Sequence, residues 1–136
     1  MANSTYGNTP GIAAPNPSGI PGFNLDYVQA HSGGGATSAT PLPGWCNVVT
    51  VVAADHDSVA LPPGYPSEPC VVINNGAHIL TVYGSNSDTI AVATSTSQVT
   101  TGITIASGAI QVFVCISGEY GNTNAPVGAQ WKALKG

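Results

Sequence analysis

Short runs of β-branched and aliphatic residues, broken by turn residues about every ten positions, fill the chain from Trp45 onward. That texture predicts the strands of a sandwich or barrel. VVTVVAA at 48–54 is the first run, and Asp55, His56 and Asp57 stop it. Prolines at 62, 63, 66 and 69 remove backbone donors and fix φ, so no central strand runs through that loop. The runs CVVI at 70–73 and HILTVY at 78–83 flank Asn74, Asn75, Gly76 and Ala77. Asn-Gly between two β-rich runs predicts a hairpin, because both residues tolerate the positive φ of a type I′ turn. After a turn at 84–87, residues 89–92 and 97–100 read as short or edge strands. Residues 103–105 lead through Ser107 and Gly108 into AIQVFVCI at 109–116. Both alternating faces of that run are largely apolar, which marks a central strand. AQWKAL at 129–134 reads as the last strand. Apolar residues nowhere recur at helical spacing over ten or more positions. The expectation is an all-β fold, a single antiparallel β-sandwich of six to eight strands over 45–136.

Residues 1–44 have a different texture. Eight glycines, six prolines and one charge, Asp26, leave them without a strand or helix period. So few apolar side chains cannot offset an ordering entropy of roughly 1–2 kcal/mol per residue. The segment reads as an extended, irregular N-terminal arm that orders against a partner, with a loose tail the bland alternative. Its apolar residues Tyr6, Ile12, Ile20, Phe23, Leu25, Tyr27 and Val28 are spaced as anchors of such an arm. Tyr6, Ile12, Ile20, Phe23, Leu25 and Tyr27, with Trp45 at the junction, are the candidate partner-interface residues.

Charge narrows the function classes. The chain has two basic residues, Lys132 and Lys135, against six acidic ones, and charged residues make up 6% of it where ordinary soluble domains carry roughly 25%. Weak colloidal repulsion suits a subunit of an assembly better than a freely diffusing monomer. Two lysines cannot neutralise a row of phosphates, which argues against nucleic acid and against anionic lipid. No run of about 18 apolar residues is present to span a bilayer. The N-terminus lacks the basic and apolar regions of a signal peptide, so the chain reads as made in the cytoplasm. Cys46, Cys70 and Cys115 are odd in number and widely spaced, unlike a disulfide framework or a zinc site, and read as buried small hydrophobes.

Candidate chemistry is sparse. Asp55, His56 and Asp57 could ligate a metal or share a proton, yet consecutive strand residues point to opposite faces, so a strand-ending polar turn is the better reading. His31 and His78 have no carboxylate close in sequence. The cysteines lack the local signature of a thiol nucleophile, and Gly33-Gly34-Gly35 is not followed by the Lys-Ser or Lys-Thr of a phosphate loop. Trp45, Tyr65, Tyr83, Tyr120 and Trp131 could stack on sugars, although packing at borders and interfaces suits them better. The expectation is a non-enzymatic chain with no cofactor and no metal.

VVINNGAHILTVYG at 71–84, SDTI at 87–90, SQV at 97–99 and VFVCISGEY at 112–120 together resemble a pattern found in small structural proteins of tailed phages, the head decoration or cement proteins. The resemblance covers about two thirds of the body and none of the arm. It implies a jelly-roll-like body that sits on the outer capsid surface as a homotrimer, with a dimer as the alternative. The major capsid protein would be its partner, bridged across neighbouring subunits. A head-fibre or tail-associated module that recognises a host glycan or receptor is the competing expectation.

Overall fold

A computed structural model of the chain describes residues 25–85, 88–92, 100–117 and 128–134. Among these residues there is no helix, and ten strands build two sheets. The first five strands are β1 (Leu25–Gln29), β2 (Thr40–Pro41), β3 (Cys46–Val51), β4 (Asp57–Ala60) and β5 (Pro69–Asn74). They are followed by β6 (Leu80–Tyr83), β7 (Thr89–Val92), β8 (Ile103–Ile105), β9 (Ile110–Ser117) and β10 (Gln130–Leu134). Six strands form the larger sheet in the order β1-β3-β5-β9-β10-β7, and four form the smaller in the order β2-β4-β6-β8.

From β1 to β6 the chain passes from one sheet to the other at every connection, and each strand stacks parallel on the one two places earlier. Leu25 lies beside Cys46 and Cys46 beside Val71, while Thr40 lies beside Val59 and Val59 beside Val82. The first half is therefore wound as a coil. Antiparallel pairing enters with β8 on β6 and with β9 between β5 and β10, and β7 closes the larger sheet parallel to β10. The expected antiparallel, jelly-roll-like order is thus corrected: both sheets are mixed, with five parallel and three antiparallel pairings.

The hairpin expected across Asn75-Gly76 does not form, because β5 and β6 belong to different sheets. Asn74 is buried, and its side chain accepts the Gly76 N–H at 3.0 Å and donates to the carbonyls of His78 (2.8 Å) and Ile105 (3.0 Å). Those bonds hold the chain in a crossing between layers. Gly76 is required by space: a Cβ there would stand 2.6 Å from the Val52 side chain and 2.7 Å from its backbone nitrogen. Ser107 Oγ donates to the Gly76 carbonyl at 2.6 Å, which ties in the crossing from β8 to β9 as well.

Residues 25–44 also differ from the irregular arm expected of them. Leu25–Gln29 adds an edge strand, Thr40–Pro41 pairs with β4, and Val28, Ala30 and Leu42 join the core. Their apolar positions are too few to show a period, and the pairing is supplied by strands that come later in the sequence. Tyr6, Ile12, Ile20 and Phe23 lie outside the described residues, as do most of the strand expected at 97–100 and the Glu119 and Tyr120 of the VFVCISGEY motif.

One hydrophobic cluster is shared by both sheets. Val49, Val72, Phe113 and Trp131 enter from the larger sheet, and Val59, Leu80, Val82 and Ile105 from the smaller. Trp131 is fully buried, and its indole N–H donates to Asp88 Oδ2 at 3.3 Å while the Ala129 N–H donates to Asp88 Oδ1 at 2.8 Å. Buried polar tips need such partners.

Candidate assembly surface

Register and burial together assign a face to every strand of the larger sheet. Along β9, Phe113 and Cys115 are buried against the core, so Ile110, Val112, Val114 and Ile116 point the other way. On β5, Cys70, Val72 and Asn74 face inward, and Val71 and Ile73 lie outward beside Val112 and Ile110. Val48 continues the row on β3 and Tyr27 on β1, while Leu134 extends it on β10 beside Val112. Tyr27 is 72% exposed, Ile110 56%, Ile116 53% and Leu134 42%. Lys132, beside Val114, is the one charge on this face among the described residues. A central strand with two apolar faces normally has both covered, and among the described residues no second sheet packs on this outer face, although Val48 and Ala91 on it are buried.

The smaller sheet presents a different exterior. Ser58, Thr81 and Thr104 share its outward row. Residues 31–34 run against it: His31 exchanges backbone hydrogen bonds with Ser58 at 2.9 Å, Ser58 Oγ donates to the Gly33 carbonyl at 3.2 Å, and His56 Nδ1 lies 3.3 Å from Thr81 Oγ1.

At one end of the molecule a cavity of about 270 Å³ is lined by Trp45, Pro62, Pro63, Tyr65, Glu68 and Trp131, among others. The proline loop forms its wall because Gly64 packs directly on the core. A Cβ at Gly64 would meet Ala129 at 2.7 Å and Cys115 Sγ at 2.8 Å. Trp45 is half-buried here and Tyr65 exposed.

Asp55, His56 and Asp57 do not converge. Asp57 is buried and accepts the N–H groups of Gly33 (2.9 Å), Ala53 (2.8 Å) and Ala54 (3.1 Å). The bond from Gly33 leads in holding its carboxyl below the usual carboxylate range. His56 takes the left-handed conformation, φ 70°, that the turn requires. Asp55 is exposed, accepts the Ile79 N–H at 3.0 Å and stands 3.5 Å from His78 Nδ1, and the Ile79 bond is the main reason its carboxyl is also lowered. Among the described residues no three His, Cys, Asp or Glu side chains gather as metal ligands would.

Cys46, Cys70 and Cys115 are all free. Burial pushes the Cys70 thiol up to about 12 and raises Cys46 and Cys115 as well, the opposite of an activated thiolate.

Of the residues expected at a partner interface, Tyr27 lies on the apolar face, Trp45 lines the end cavity, and Leu25 pairs through its backbone with Cys46. Sequence reasoning looked to the arm and did not single out the outward apolar row of Val71, Ile73, Ile110, Val112, Val114, Ile116 and Leu134. The signal was present in the two apolar faces of 109–116, read only as a sign of centrality. No protein-family model matches the chain, and neither a curated protein nor a solved structure is significantly similar to it.

Proposed function

We propose that this chain is a structural virion protein, a decoration subunit that sits on the outer surface of a phage capsid and stabilises it by bridging neighbouring capsid subunits. Its two sheets would act as a rigid, sandwich-like body without catalytic apparatus. The observation that carries this reading is the broad apolar outer face of the larger sheet, in a chain whose charged residues amount to 6%. Such a face is unfavourable in water and is stabilised when another protein surface covers it. Binding that favours the assembled shell raises its stability by mass action, and repetition over a symmetric lattice multiplies modest contacts. The test is to mix the protein with expanded, undecorated capsids of its own phage, sediment them and measure shell melting. Stoichiometric sedimentation with a raised melting temperature supports the reading, and protein left in the supernatant overturns it.

The end cavity favours a second reading. Trp45 and Tyr65 beside Glu68 present aromatic and polar groups at a concave site, the combination a glycan-recognising head-fibre module uses. Saturable glycan binding that quenches tryptophan fluorescence, without capsid binding, would select it.

A further inference from the structure

We infer that the end cavity is a socket for the guanidinium of an arginine side chain on a partner protein, held between the Trp45 indole and the Glu68 carboxylate. The inference rests on the assembly reading above and names an anchor point within it.

Backbone bonds fix the two residues that would hold the cation. Trp45 directly precedes β3, and its carbonyl accepts the Val71 N–H at 2.6 Å. Glu68 directly precedes β5, where its carbonyl accepts the Cys115 N–H at 2.9 Å and its own N–H donates to the Tyr65 carbonyl at 3.1 Å. Pro62, Pro63 and Pro69 add apolar walls of restricted backbone. A volume of about 270 Å³ is at the small end for a ligand site and suits one side chain better than an oligosaccharide.

Charge sets the sign of the occupant. Glu68 is half-buried, and no described residue donates a hydrogen bond to its carboxylate or pairs with it. Asp26 stands against Gly44 on one wall, and Asp88 accepts the indole N–H of Trp131 behind another. Among the described residues no basic side chain lines the cavity. The same carboxylates act on the nearby thiols: after burial, Asp26 raises Cys46, and Asp88 and Glu68 raise Cys115. A cation placed here gains from that field and from the face of an aromatic ring. A guanidinium stacks its plane on an indole while its fork of donors meets a carboxylate, which an ammonium cannot do at once.

The occupant is foreign to this chain. The sequence contains no arginine, so a second copy cannot supply one. Pro69 lines the cavity and also starts the outward row continued by Val71 and Ile73, so a partner that covers that row reaches the cavity rim.

Two-dimensional NMR of the full chain, read at the Trp45 indole N–H, tests this with N-acetyl-arginine methylamide as the probe. The uncharged citrulline analogue and the lysine analogue are the controls. The Trp45 resonance should shift saturably with a dissociation constant on the order of 1–10 mM. Glu68→Gln should weaken binding by at least about 10-fold, and Asp55→Asn, at the other end of β3, should leave it unchanged. No saturation by about 100 mM overturns the inference, as does equal binding of either analogue. Saturation by a neutral oligosaccharide and not by the arginine probe selects the glycan reading and overturns this one. Arginine binding without capsid sedimentation keeps the site and removes the proposed function. Capsid sedimentation without any response to the probe does the reverse.

Discussion

The exteriors of the two sheets were given opposite chemistry. On the smaller sheet, hydroxyls of Ser58 and Thr81 find partners in Gly33 and His56, and His31 pairs with Ser58 through the backbone. On the larger sheet, Val71, Ile73, Val112 and Val114 have no hydrogen-bonding capacity in their side chains, and Ile110 and Ile116 are more than half exposed. Both sheets share one core, so stability of the fold does not require the difference. What differs is how each outer face is finished. One outer row ends in hydroxyls, two of them with partners inside the chain, and the other in aliphatic side chains.

The largest effect expected from blurring this contrast falls inside the shared core. Phe113→Ala should cost about 3–5 kcal/mol in urea unfolding, because the ring is fully buried in the shared core. Gly76→Ala should cost about 1–3 kcal/mol from the clash with Val52, with no change in oligomeric state, since the crossing lies off both outer faces. Asp57 gives a pH signature to the finished side. Its carboxyl is held low, so its stabilising contribution is complete above the ordinary carboxylate range of about 3.9 and is lost as pH falls through the folded value. Thermal melts of Asp57→Asn should start lower at neutral pH and lose less on acidification than wild type. The smallest effect is expected at Thr104. Thr104→Val should change stability by no more than about 0.5 kcal/mol and should not create a new association, because one added valine does not make a patch.

Much of the strand content was legible from sequence, because β-branched runs and turn residues are local properties. Residues 89–92 and the strand near 110–116 emerge close to where alternation puts them. Pairing was not legible. Asn-Gly is a strong hairpin mark when φ is the constraint, but at Gly76 the constraint is the close approach of Val52, and nothing local distinguishes the two cases. Strand β1 was missed for a related reason: Leu25–Gln29 has little pattern of its own and is recruited by β3, some twenty residues later in the chain. The candidate surface was half legible. Apolar residues on both faces of 109–116 declared two coverings, and the fold shows that among the described residues one sheet covers one of those faces.

Winding has a consequence for how this protein reaches its native state. Of the strand pairs among the described residues, only β9 and β10 are neighbours in sequence, and every pairing from β1 to β6 skips a strand. A helix or a tight hairpin can form early from local contacts, whereas here even the most local ladder must bring Ser117 to Gln130, and the others close longer loops. Refolding should therefore take milliseconds to seconds even for so short a chain, as for other folds dominated by non-local pairing. Through that interval the apolar rows of the larger sheet are not yet packed on the core, and folding competes with aggregation through them.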